Sequence, residues 1–182
     1  MEIKSVAQNN DTDRLTYLAK LDRVCRKSDC TAEEVCRELA NVFRVRRDEV
    51  ALLRVTGEAL RFLFPQTLRG AGVIPLSSAA IVAKTAAGRS MIFNNFAQIR
   101  HLAVFEIAAI RQGDSGIGQE ESLIQKIMSA RIVQNEGIVL GVAQISRKGV
   151  TSASAGPNFT GADLRLLQSA CAVIASVLPR LD

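Results

Sequence analysis

Apolar residues recur at Leu15, Leu18, Leu21, Val24 and Cys25, which leaves Arg14, Lys20 and Arg23 for water. That three-to-four spacing predicts an amphipathic helix from about Asp11 to Lys27. Ser28-Asp29-Cys30 interrupts it, and Thr31-x-x-Glu34 is a capping box opening a second helix. Val35, Leu39, Val42 and Phe43 line one face of that helix, which should end near Val45. The period then changes to that of strands. VALLRV (Val50 to Val55) and ALRFLF (Ala59 to Phe64) flank Thr56-Gly57-Glu58, a hairpin connection. Pro65, which has no N–H for a ladder, closes the second strand.

After Gly70-Ala71-Gly72, Ser77 or Ser78 can cap a short helix through Ala87, with Gly88 as its left-handed stop. RSMIF (Arg89 to Phe93) reads as a third strand. Apolar positions 96, 99, 102, 103 and 107 predict a helix from Phe96 to Ile110. Residues 111–122 contain three Gly and no apolar period, the mark of a mobile loop. Leu123 to Gln134 and Ile138 to Ser146 form a second hairpin across Asn135-Glu136-Gly137. Its second strand is apolar on both faces from Ile138 to Val142 and should be central in its sheet. A last helix, opened by Thr160-x-x-Asp163, should run to Leu178.

Hairpins interleaved with helices imply an α+β domain: an antiparallel β-sheet of five to six strands flanked by helices. The 182 residues suit one domain (1–182), with residues 1–30 as a helical extension. Leu164, Leu167, Cys171, Ile174 and Leu178 give the last helix one apolar stripe. Ala172, Val173, Ala175 and Val177 make its other side apolar as well. A helix apolar all round is buried on more than one side. The expected partner is the first helix, so that the N- and C-terminal helices pack together and the chain forms a homodimer through them.

Composition narrows the chemistry. The chain is 48% hydrophobic and 23% charged, which is globular. No apolar run approaches the roughly 20 residues of a membrane span, and the start has no signal-peptide core. Four cysteines (Cys25, Cys30, Cys36, Cys171) are too sparse for a disulfide scaffold, so the expected compartment is a reducing cytoplasm. The net charge of +5 has its clearest cluster at Arg44, Arg46 and Arg47, next to Asp48 and Glu49. Without Trp, and with 4% aromatics, the chain has no stacking platform for single strands, and the cluster reads as a self-neutralised junction. Nucleic acid is not an expected partner.

Catalytic patterns are thin. His101 is the one histidine, which excludes a multi-histidine metal site. Gly70-Ala71-Gly72 lacks the third Gly of a dinucleotide fingerprint, and no Gly-Lys-Ser/Thr occurs. No pair of acids is marked as a general acid and base. Neither a cofactor nor a metal is implied, and an enzyme is not expected.

The strand GIVLGVAQISRKG, the loop VTSASAGPN and the helix start FTGADLRLL together resemble the end of a GAF domain. Gly88-Arg89 leading into a strand that ends at Asn94-Asn95 adds to the likeness, which extends over nearly the whole chain. It implies a GAF-like (profilin-like) sheet between helical layers, with a pocket on one sheet face. Cyclic-nucleotide-binding members carry Asn-Lys … Phe-x3-Asp-Glu. Lys148, Phe159 and Asp163 match that signature, whereas Arg147 replaces the Asn and Leu164 the Glu. Free methionine sulfoxide reductases of the family need pocket cysteines, for which Cys30 is the candidate here. The resemblance therefore implies a non-enzymatic sensory or regulatory domain that binds an unknown small-molecule ligand. A sulfoxide reductase or a nucleic-acid-binding regulator is the alternative. The expected ligand-binding residues are Phe93, Asn95, Phe96, His101, Phe105 and Arg131.

Overall fold

A computed structural model describes residues 15–96, 123–135 and 137–182. The start of the first expected helix, residues 97–110 of the helix expected from Phe96 to Ile110 (with His101 and Phe105), and the loop expected over 111–122 lie outside the described residues. Helix α1 spans 15–25, with Leu21, Val24 and Cys25 inward and Leu15 exposed. The Thr31 cap then works as its sequence predicts. Glu34 N donates to Thr31 Oγ1 (3.2 Å) and Thr31 N to Glu34 Oε2 (3.3 Å), which satisfies two orphan amides of α2 (Ala32–Phe43). Lys20 Nζ lies 3.0 Å from a buried Glu38 oxygen and ties α1 to α2.

Six strands form one antiparallel sheet: β1 (Val50–Thr56), β2 (Ala59–Phe64), β3 (Ile74–Pro75), β4 (Met91–Phe93), β5 (Leu123–Val133) and β6 (Val139–Gly149). Their order is β3-β2-β1-β6-β5-β4. β6 is central, as its doubly apolar run predicts, and residues 141–146 are all buried. Gly141 is needed there: a Cβ on it would stand 2.2 Å from Leu53 O and 2.7 Å from Leu178 Cδ2. Two-residue β3 has no periodic signal in the sequence.

Helix α3 (Ile81–Ala87) begins later than expected. Its N-cap is Ala80, without a side-chain bond, so neither Ser77 nor Ser78 caps it. Gly88 follows with φ −124° and ψ −101°, which is not the left-handed stop that was expected. Helix α4 (Gly161–Ile174) opens on the Thr160–Asp163 capping box but ends four residues short of Leu178. Pro179 cannot donate back to the preceding turn, so the chain leaves α geometry ahead of it and tightens into a 3-10 turn over Leu178–Arg180.

That early end corrects the expectation of a last helix apolar all round. Arg165, Gln168, Ser169 and Ala172 form an exposed side. Val177, Leu178 and Leu181 are fully buried because the tail folds back onto the sheet and α1. Two arginines hold it there. Arg54 Nη1 donates to Pro179 O (3.3 Å) and Leu181 O (3.0 Å). Arg180 Nη2 donates to Cys25 O (2.7 Å) and Lys27 O (3.1 Å). The terminal helices thus pack together within one chain, with α1, α2, α4 and the tail sharing one core on one face of the sheet.

Candidate functional site

The opposite face is covered by α3, and strand alternation decides what it presents. Met128, Ala130 and Ile132 belong to the helical core, so Ile127, Ser129 and Arg131 of β5 face α3. On β6, Ala143 and Ile145 face the helical core, which turns Val142, Gln144 and Ser146 toward α3. The register places Met91, Ser129, Gln144 and Ala51 side by side across β4, β5, β6 and β1. One row along lie Phe93, Ile127 and Ser146; on the other side lie Arg131, Val142, Leu53 and Phe62.

Apolar packing on this face separates into two clusters. One gathers Leu53, Val142, Val82 and Ala86; the other gathers Ile81, Phe96 and Ile127 with Phe93 against them. The Ser129–Gln144 row runs between the strand positions of the two clusters, and Thr85 of α3 is buried on the same helix as Ile81 and Val82. Thr85 and Ser129 are fully buried, and Gln144 is nearly so. Thr85 Oγ1, Ser129 Oγ and Gln144 Oε1 have no hydrogen-bond partner among the described residues. An unsatisfied buried polar group costs about 1–3 kcal/mol. Three of them approach the roughly 5–15 kcal/mol by which a domain is stable. Buried polar groups ordinarily find their partner in the protein, an ordered water or a bound ligand. Ser146, by contrast, is satisfied: its Oγ donates to Glu49 O at 3.1 Å.

Of the residues expected to bind ligand, Phe93, Phe96 and Arg131 lie on this face. Phe96 is a core residue, and Phe93 packs half-buried beside it. Asn95 is exposed; its neighbour Asn94 is the anchored one, exchanging two hydrogen bonds with the Phe159 backbone (2.9 and 3.0 Å) and so tying the end of β4 to the start of α4. Thr85, Ser129 and Gln144 went unnoticed in the sequence. For Ser129 and Gln144 the signal was a polar residue inside a strand apolar on both sides.

The cyclic-nucleotide signature does not assemble around Lys148. Its Nζ pairs with Asp48 Oδ2 at 2.9 Å, while Asp163 caps α4. Arg147, not Lys148, lies over the Phe159 ring, 4.8 Å from its centroid. Asp48 also accepts from Arg46 (3.0 Å). Although burial opposes it, these two cationic donors hold the Asp48 carboxyl below its ordinary range. Arg47 reaches Glu33 at 3.2 Å, so the arginine cluster is partly neutralised within the chain.

All four cysteines sit in the helical core behind the sheet. Burial pushes the Cys171 and Cys25 thiols up to about 12, and raises Cys36 and Cys30 as well. Thiols held protonated are poor nucleophiles. No group of residues suited to a metal ion occurs among the described residues.

No family model matches the chain, and no curated protein matches it. Solved structures do. The GAF domain of an Acinetobacter phosphoenolpyruvate-protein phosphotransferase superposes with a TM-score of 0.65 at 13% identity, covering 91% of this chain and 92% of that one. The A. aeolicus nlh2 GAF domain, in an inactive state, gives 0.65 at 13% identity over 93% and 98%. The fRMsr of Staphylococcus aureus in its reduced form gives 0.54 at 13% identity over 93% and 95%. The chain therefore has the fold of GAF domains. No helix among the described residues is long and apolar enough to cross a membrane.

Proposed function

We propose that this protein is a non-enzymatic sensory or regulatory domain that binds a small polar ligand against the α3 face of its sheet. The carrying observation is that Thr85, Ser129 and Gln144 are buried and have no partner among the described residues, on a sheet face that also carries two apolar clusters. Small-molecule sites are mostly apolar with a few polar anchors, and this face has that composition. Binding would act by population shift: a ligand bridging α3 and the central strands stabilises one arrangement of that layer over others. Native mass spectrometry of the purified protein tests this. An adduct that is lost when Ser129 and Gln144 become Ala and Leu supports the site; equal retention by both proteins refutes it.

The structural likeness to the S. aureus fRMsr keeps an enzyme reading in view. Against it stand the four thiols, all behind the sheet and held protonated. Homodimerisation through the terminal helices belongs to the same proposal, with a changed basis. The apolar tail residues are covered within the chain, so the surface offered to a second copy is the outer side of α1, where Leu15 is 70% exposed. Light scattering at twice the 19.7 kDa chain mass supports the dimer, and the single-chain mass refutes it. Signalling in the cytoplasm completes the reading.

A further inference from the structure

Six basic residues among the described ones are buried or half-buried: Arg37, Arg54, Lys126, Arg131, Arg147 and Lys148. Five have partners. Arg37 pairs with Glu34 (3.8 Å) and Glu38 (3.9 Å), and Lys148 pairs with Asp48 (2.9 Å). Arg54 donates to two tail carbonyls, Arg147 to Phe43 O (3.4 Å), and Lys126 to Gly156 O. Arg131 has neither an ion pair nor a hydrogen bond among the described residues.

Arg131 also has a particular address. It follows Ser129 by two positions on β5, on the same side of the sheet, and stands directly across from Val142 of the apolar cluster. Residues i and i+2 of a strand are about 7 Å apart. The α3 face thus carries Arg131 two residues along β5 from a neutral hydroxyl–amide pair, the Cα atoms of Arg131 and Ser129 roughly 7 Å apart, with apolar residues on both sides of that pair. A half-buried guanidinium with no partner among the described residues is suited to an anion, and its planar fork fits a carboxylate. One such cation balances one negative charge. Thr85, Ser129 and Gln144 supply only neutral donors and acceptors, so the other end of the ligand must be polar but uncharged.

We propose that the ligand is a short organic monoacid: a carboxylate seated on Arg131 and, some four or five bonds away, a hydroxyl, carbonyl or amide seated on Ser129 and Gln144. This rests on the site reading above and goes beyond it in assigning charge, length and polarity to the ligand. It also makes Arg131 the specificity-determining residue.

Three probes of matched length separate these features: 5-hydroxyvalerate, pentane-1,5-diol, which lacks the charge, and valerate, which lacks the far hydroxyl. Each is titrated into the full chain while the backbone amides of Ser129, Arg131 and Gln144 are followed by NMR. The expected result is that 5-hydroxyvalerate shifts all three amides at concentrations at least tenfold below either control. Arg131→Gln should weaken 5-hydroxyvalerate roughly tenfold to a hundredfold, the worth of a charge-assisted bond, and leave the response to the diol unchanged. Arg131→Lys, which keeps the charge but not the fork, should fall between. If the diol and the hydroxy acid titrate alike, or Arg131→Gln changes nothing, the acid assignment fails while the site stands. If none of the three moves these amides in the millimolar range, the site reading falls with it.

Discussion

Replacing Thr85 by Val and Ser129 by Ala should stabilise this protein when no ligand is present. Each change removes a buried hydroxyl that has no partner among the described residues. An unsatisfied buried group costs about 1–3 kcal/mol, so deleting two releases roughly 2–6 kcal/mol. Opposing terms reduce that. Ser129→Ala leaves a void of one heavy atom, and Thr→Val is imperfectly isosteric, together about 1–2 kcal/mol. The two sites lie on elements packed against each other, so the changes need not add. A net gain of about 2 kcal/mol is expected, or about 4–8 °C in Tm for a chain of this size. Urea unfolding of extensively dialysed protein measures it, with an unchanged slope confirming that the folded and unfolded states are otherwise alike. Ligand binding should be lost in the same variant, so stability and function would move in opposite directions. A loss of more than about 1 kcal/mol would refute the reasoning, because it would mean that both hydroxyls hold good bonds to an ordered water within the fold.

Three other changes probe the surrounding frame. Gly141→Ala drives a Cβ to 2.2 Å from Leu53 O, so β1 and β6 must part or lose ladder bonds; a cost of at least about 3 kcal/mol is expected in urea unfolding, and a near-neutral effect would mean that the strands are not packed as described. Leu181→Ala empties a fully buried position and should cost about 2–5 kcal/mol, with faster amide exchange in α1, because the tail holds the end of that helix through Arg180. Cys171 supplies a pH test. Its folded value is raised to about 12 from 9.0 by burial, so the stability it contributes is complete below pH 9 and is lost as the pH rises toward 12. Between pH 8 and pH 10, Cys171→Ala should therefore lose about 1.4 kcal/mol less than the parent; equal losses would place the thiol in water.

What could be read from the sequence was what local chemistry decides. Thr31 with Glu34 and Thr160 with Asp163 cap their helices as their spacing requires, because a cap needs only four adjacent residues. The hairpin at Gly57 was legible for the same reason: that glycine takes φ 61°, a conformation few other residues adopt. Long-range events were not legible. Ile74 and Pro75 become a strand only because Ala59 and Leu60 pair with them. The apolar residues after Ile174 resembled a second helix face, yet Arg54 and Arg180, more than a hundred positions away from what they bind, fold them inward. The site divides the same way. Strand alternation, which is local, sets the side of the sheet on which Phe93 and Arg131 stand, whereas the anchoring of Asn94, next to the expected Asn95, depends on the distant Phe159 backbone. Thr85 carried no signal, since its partnerless burial arises only when α3 packs over β5 and β6.

The most direct test of the central claim is a crystal structure of protein purified without dialysis, inspected between α3 and the Ser129–Gln144 pair. The account predicts density for a bound small molecule within hydrogen-bond reach of Thr85 Oγ1, Ser129 Oγ and Gln144 Oε1. Water alone bridging those three atoms, unchanged after soaking with the hydroxy acid, would contradict it.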